Sequence, residues 1–361
     1  MRIFHLQVKN FRCFTDFSLD INEPFIVITG SNGSGKSSLL EALHYCCYLR
    51  SFRTHVPREL IHFASENFFI KIKLYQEENA LFDHELHVGF SKKKRLIKID
   101  QKPIKTYKEL SSYYRVITVT EDDLILIKGA PEIRRLFLDQ ALMLENPSLA
   151  TTFKRYRHIV ENRNALLQQP QYNNESYKIW TEQLWTQSVI IQKHRKEFLM
   201  NLEYRIQDLL LELFGQEMPI SLMYQAKKIN SDQSFEEFWQ NIHTLRSMEE
   251  AFKRSVFGAH LDDFLINFCN KASRLYASRG QQKLLIMLIK IAQMEAVAEK
   301  SGPMVLLLDD FLTDFDAHRA NTLLSYISQS PHQIILTRPT RGGYLEEFIQ
   351  NRRVQNLELT S

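Results

Sequence analysis

Residues Phe25 to Ser38 read FIVITGSNGSGKSS. The run from Phe25 to Ile28 is short, unbroken and apolar, the pattern of a strand buried on both faces of a parallel sheet. Ser37 to Leu49 then reads as a helix. Between them, Gly30, Ser31, Asn32, Gly33, Ser34, Gly35, Lys36 and Ser37 satisfy G-x-x-x-x-G-K-[ST] at every position. The strand before and the helix after are the setting this phosphate-binding loop requires. Its glycines let the backbone curl so that N–H groups face an anion, and the helix N-terminus adds positive potential. The cradle runs from Gly30 to Ser38. Lys36 would reach the β- and γ-phosphates of ATP, and the Ser37 hydroxyl would hold Mg²⁺.

A second stretch bears on the same chemistry. Val305-Leu-Leu-Leu-Asp309-Asp310 is an apolar strand ending in two acids. Carboxylates end strands in many α/β folds, but beside a phosphate loop the catalytic reading is favoured. Asp309 would then hold the Mg²⁺ shell and Asp310 would orient and activate water, a general-base role. About 30 residues upstream, Ser278-Arg279-Gly280-Gln281-Gln282 forms a polar turn ahead of a long apolar helix. Ser278 suffices there as an ordinary N-cap. The same turn can also present a hydroxyl, backbone N–H groups and a helix N-terminus to an anion.

Outward from these motifs, the ends of the chain carry strands and the middle carries helices. Phe4, Leu6 and Val8 alternate with polar residues, as do Ile70, Ile72 and Leu74. His84 to Phe90 and Leu96 to Asp100 flank Lys92, Lys93, Lys94 and Arg95, a hairpin with a basic tip. Pro131 opens a helix, another follows Pro147, and a third spans about Ser176 to Phe214, with Gly215 as its stop. Ser234 to Glu237 reads as a capping box for a helix reaching about Val256. Strand character returns at Leu306 to Leu308 and at Gln333 to Leu336. Residues 1–130 and 258–361 therefore form one discontinuous α/β head, and 131–257 a mainly helical insert.

Bulk properties exclude some classes. The 361 residues are 44% hydrophobic and 24% charged, ordinary for a globular chain of roughly two domains. The net charge of +4 permits a local basic face without demanding one. Cys13, Cys46, Cys47 and Cys269 lack metal-site spacing and read as reduced cytosolic thiols, so a cytoplasmic location is expected. Apolar runs such as LLIMLIKIA have about half the length of a membrane span. The twelve histidines are scattered. His260, beside Asp262 and Asp263, is the most site-like, and a satisfied structural role suits it best.

The order of phosphate loop, helical insert, polar turn and acidic strand resembles an ATP-binding cassette head. More specifically, the chain resembles the RecF family of bacterial DNA replication and repair ATPases, relatives of SMC heads. The resemblance rests on VKNFRCF, the phosphate loop, LRSFRT, EDDLILIKGAPEIRRLFLDQAL, YRHIVENRNALL, GAHLDDF, YASRGQQK and LLLDDFLTDFD, spread from residue 8 to residue 316. It implies an ABC/SMC-type α/β head with an inserted helical lobe and no long coiled coil. It implies a slow, DNA-stimulated ATPase that needs ATP and Mg²⁺. ATP would drive formation of a homodimer that binds single-stranded and duplex DNA at gaps and ends. RecR and RecO would be partners, and recombinase loading and SOS induction the outcome.

Residue by residue, Arg12 falls in the segment near the nucleotide. Ser278, Gly280 and Gln281 fall in the signature that meets the γ-phosphate, and Asp309 and Asp310 in the Walker B pair. The chain departs from the family at Glu121, Leu261, Arg279 and Thr313 to Asp316. Thr337 stands near the switch position where many transporter heads have histidine. DNA phosphates would meet Arg50, Arg53 and the Lys92 to Arg95 tip, with Lys154, Arg155, Arg157 and Arg163 as a further cluster; such runs are also common as solvated faces. The competing reading is the nucleotide-binding subunit of a membrane transporter, disfavoured by the motif order and the long insert.

Overall fold

The structure is a computed structural model and describes residues 1–75, 83–91, 94–215, 218–229, 233–338 and 353–359. Two compact units emerge: Met1–Asp123 with Arg279–Ser361, and Leu124–Ser278. The expected limits at 131 and 257 therefore move outward. Strand Asp263–Phe268 pairs antiparallel with Ile220–Gln225 along its whole length, which draws residues 258–278 into the helical unit. Arg134 does the same upstream. Its guanidinium donates to the Gly129 carbonyl at 2.9 Å and to both Asp263 oxygens at 2.6 and 2.9 Å.

The first unit holds two sheets. One is antiparallel, in the order Phe14–Asp20, Arg2–Phe11, Asn67–Tyr75, Asp83–Ser91, Lys94–Ile99 and Lys102–Pro103. Its alternation is the one the sequence predicts: Ile70, Ile72 and Leu74 are fully buried, while Lys71 and Lys73 turn outward to Glu85. The other sheet is parallel, in the order Gln355–Leu359, Phe25–Gly30, Gln333–Arg338, Val305–Asp309 and Val116–Val119. Its central strands are continuous apolar runs because helices Lys36–Tyr48 and Arg279–Ser301 pack on it. All five strands point one way, so Gly30, Asp309 and Thr337 gather at their carboxyl ends. That edge is where open α/β sheets bind ligands. Among the described residues, no helix is long and apolar enough to cross a membrane.

The second unit is built on helices Pro131–Glu145, Leu149–Leu167 and Asn174–Phe214. The Ser234–Glu237 capping box forms as expected, but the helix it opens breaks at Asn241 into Phe235–Gln240 and Ile242–Phe252. Arg163 corrects another expectation. It is fully buried, not part of a basic surface. It shares a helix face with the buried Tyr156, Ile159 and Leu167, at offsets of −7, −4 and +4. Its guanidinium donates to both Glu249 oxygens at 2.7 Å and to Ser255 Oγ at 2.8 Å, between the rings of Tyr177 and Phe257. Lys154, Arg155 and Arg157 on the same helix are exposed. His260 Nδ1 lies 2.8 Å from Tyr156 Oη, and burial lowers its pKa to about 4, so it is neutral at pH 7. Asp262 accepts from Gln192, Tyr224 and the Lys227 N–H, which makes this stretch a structural knot.

Candidate nucleotide site

The loop between Gly30 and Lys36 borders a cavity of about 570 Å³, lined also by Arg12, Arg53, Glu59, Phe63 and Asp310. Gly35 has φ +99, and a Cβ there would sit 2.5 Å from the Phe14 ring and 2.9 Å from Cys13 Sγ. Only glycine meets both demands. The Lys36 ammonium is nearly buried and donates to the carbonyls of Gly30 at 2.9 Å and Ser31 at 3.0 Å. Those two bonds hold it under the loop. Among the described residues the buried Ser34 hydroxyl has no hydrogen-bond partner, an arrangement that an incoming phosphate oxygen would satisfy.

The acidic strand arrives from 272 residues away. Ser37 Oγ donates to Asp309 Oδ1 at 2.9 Å. The phosphate-loop strand and the acidic strand are not neighbours, because Gln333–Arg338 lies between them. That middle strand carries Thr337, level with Asp309 in the register. Its hydroxyl donates to Asp309 Oδ1 at 2.8 Å and accepts from the Asp310 N–H at 2.9 Å. Asp310 itself is in the left-handed region, φ 48, which turns the chain sharply after the strand. Burial raises the Asp309 pKa, against hydrogen bonds from Thr337 and Ser37. Burial likewise raises that of Asp310, against the charge of Lys36. Two half-buried carboxylates beside a serine hydroxyl fit a hard, oxygen-seeking cation. Among the described residues, no group of three or more His, Cys, Asp or Glu side chains is placed to hold a metal.

Thr337→Val removes the hydroxyl shared by both acids and keeps the shape. It removes the Thr337 acceptor from the Asp310 N–H in a part-buried setting, so the expected cost is about 1–2 kcal/mol. Thermal unfolding of ligand-free protein measures it; an unchanged midpoint would remove Thr337 from this role.

A residue missed by sequence reasoning underlies the cavity. Glu41, on the first helix, is fully buried and accepts from Arg12 Nε at 2.8 Å and from its other guanidinium arm at 2.7 Å. Ser51 also donates to it, and Arg53 approaches to 3.7 Å. The signal was a lone acid inside Leu39-Leu40-Glu41-Ala42-Leu43. Arg53, expected at DNA, thus lines the same cavity as the phosphate loop.

The polar turn is not a separate turn. Arg279, Gly280 and Gln281 form the first turn of helix Arg279–Ser301, and Ser278 is the last residue of the second unit. Gly280 is helical, with nothing within 4 Å of an added Cβ, so local geometry does not demand glycine there. Gly280 and Gln281 do not line the cavity. Arg279 pairs with Glu121 at 3.3 Å. Glu121 also pairs with the buried Lys283, and Asp123 with Lys290 at 2.8 Å. Arg50 is exposed beyond the first helix. Lys92 and Lys93 lie outside the described residues. Lys94 and Arg95 are both exposed, and the Arg95 guanidinium also lies over the buried Tyr45 ring at 5.5 Å and donates to its hydroxyl.

Residues 2–356 match the family model described as the RecF/RecN/SMC N terminal domain. The chain is 29% identical to the DNA replication and repair protein RecF of Clostridium novyi (strain NT), covering 99% of both chains. It is 29% identical to the RecF protein of Desulfitobacterium hafniense (strain Y51), covering 93% of each. A structure of the recombination mediator protein RecF-ATP in the RecFOR pathway superposes with a TM-score of 0.85 at 23% identity, over 94% of this chain and 92% of that one. An SMC head bound to the C-terminal winged-helix domain of ScpA has a TM-score of 0.54 at 14% identity, over 96% and 91%. The ABC/SMC-type head is thereby shared with both.

Proposed function

Because the chain belongs to the RecF/RecN/SMC N-terminal domain family, we propose that it is an ATP-dependent DNA-binding protein of DNA repair and replication, with the ATP site in its first unit. The observation that carries this reading is the bond from Ser37 to Asp309, which brings a phosphate loop and an acidic strand to one sheet edge. The loop N–H groups and Lys36 bind the β- and γ-phosphates, and Arg53 adds positive charge at the same cavity. Ser37 and Asp309 would hold Mg²⁺, which when bound would neutralise charge developing on the phosphates. Thr337 keeps Asp309 and Asp310 in register. Asp310, on its sharp turn, orients the attacking water and accepts its proton.

The finer reading follows the resemblance. Two heads close on ATP, with the helix start at Ser278, Gly280 and Gln281 facing the nucleotide of the other copy. The closed dimer holds single-stranded and duplex DNA at gaps and ends through Arg50, Lys94 and neighbouring cations. Slow, DNA-stimulated hydrolysis then releases it in the cytoplasm. RecR and RecO are the expected partners, and recombinase loading and SOS induction the expected outcomes.

Asp310→Asn protein tests this by sedimentation, with and without Mg-ATP and gapped duplex DNA. The variant is expected to form a dimer only with Mg-ATP and to retain DNA in it. A variant that binds ATP yet stays monomeric would end the dimer mechanism and leave residues 278–282 as a helix start alone.

A further inference from the structure

One large side chain at the cavity has no part in the phosphate chemistry. Phe63 is 94% exposed, although it lines the same cavity as Gly33, Lys36 and Asp310. Singly exposed apolar residues are common and need no explanation. This one differs in how it is held. Its backbone neighbours are fixed to the first strand: Ile61 bridges Phe11, the His62 N–H donates to the Asn10 carbonyl at 2.8 Å, and the Arg12 N–H donates to the Leu60 carbonyl at 2.8 Å. The nearly buried His62 ring backs the Phe63 ring, with centroids 4.3 Å apart and planes tilted by 37°. His62 is itself fixed, because its Nδ1 accepts from the Ala64 N–H at 3.3 Å. Phe63 also lines a second hollow of about 400 Å³, so its ring is a wall between two recesses.

Glu59, which lines the cavity beside this wall, is already engaged. The Glu59 carboxylate accepts from the Thr54 hydroxyl, and the Glu59 carbonyl accepts from Arg12 at 2.9 Å. This end of the cavity therefore offers a flat apolar face. The other end offers N–H groups and an ammonium. A cavity of about 570 Å³ falls within the usual range of small-molecule sites, roughly 300–1,000 Å³. From these features the geometry points to Phe63 as the platform on which the nucleobase of the bound nucleotide stacks. The triphosphate lies in the loop and the base lies on the ring. The inference rests on the ATP reading of the phosphate loop and adds the residue that recognises the other half of the ligand. Stacking uses the π-face that every base has, so the contact supplies affinity without selecting among bases.

The test separates the two halves. Binding of ATP and of inorganic triphosphate is measured by calorimetry for the unaltered protein, Phe63→Ala, Phe63→Trp and Lys36→Ala. Loss of one stacked base corresponds to about 5- to 150-fold in affinity. Phe63→Ala is expected to weaken ATP within that range and leave triphosphate unchanged. Phe63→Trp is expected to bind ATP normally, with fluorescence quenched by ATP and not by triphosphate. Unaltered ATP affinity in Phe63→Ala, an equal loss of both probes, or no ATP-dependent quenching in Phe63→Trp would each overturn the inference. Failure of the unaltered protein to bind ATP, or full binding of both probes by Lys36→Ala, would instead sink the nucleotide reading itself. The exposure of Phe63 keeps folding out of the comparison, and equal melting temperatures check this.

Discussion

Lys36→Ala protein is expected to fold and to lose nucleotide hydrolysis, with kcat/KM down roughly 10²- to 10³-fold or more. The structure explains why one side chain has so large an effect. Its ammonium is the nearly buried cation of the loop, held by two backbone carbonyls at 2.9 and 3.0 Å and close enough to Asp310 to oppose the burial effect on that acid. Alanine removes the positive charge from a site whose remaining nearby charges include two carboxylates. A triphosphate entering would then meet the negative end of the site uncompensated. Stability should change little, because the two lost bonds are offset by no longer burying a charge. Calorimetric ATP binding, phosphate release and thermal unfolding measured together give the answer. Near-normal turnover in a folded variant would mean that phosphate is held elsewhere.

The second large effect lies in the second unit. Glu249→Leu is expected to destabilise the second unit by about 3–5 kcal/mol, because it leaves the Arg163 guanidinium charged and dry. Both partners are completely buried, and Tyr177 Oη also donates to Glu249 at 2.8 Å, so no water replaces the lost carboxylate. The double variant Arg163→Met with Glu249→Leu removes both charges and should recover most of that loss. Denaturant unfolding of the two single variants and the double variant gives the coupling energy. Additive losses would show that the pair does not act as a unit.

What the sequence showed and what it concealed follow from distance along the chain. The phosphate loop was legible because glycine spacing, an apolar strand and a helix start are all local. So was the Ser234 capping box. Its helix was overextended because nothing in composition marks the break at Asn241. The alignment of Ser37 with Asp309 depends on strand order, which local pattern does not encode. Arg163 was misread from its neighbours in sequence; its helical phase with Tyr156, Ile159 and Leu167 carried the correct signal. The limits of the insert were missed because the Asp263–Phe268 strand pairs with a strand inside it. Phe63 had no signal at all, since exposure is a property of the fold and not of the residue.

The order of the parallel sheet bears on how the chain can be made. Strands Phe25–Gly30 and Val116–Val119 leave the ribosome early, but they never touch. Two strands from the far end of the chain, Val305–Asp309 and Gln333–Arg338, fill the gap between them. Early segments fold first during synthesis, and contacts between distant segments form slowly. The phosphate loop is thus translated long before Asp309 and Thr337 exist. A nascent or truncated chain holds the glycine loop without its acids, so on the proposed reading ATP turnover would begin only after translation has passed residue 338. The strand order would then make hydrolysis a property of the whole sheet.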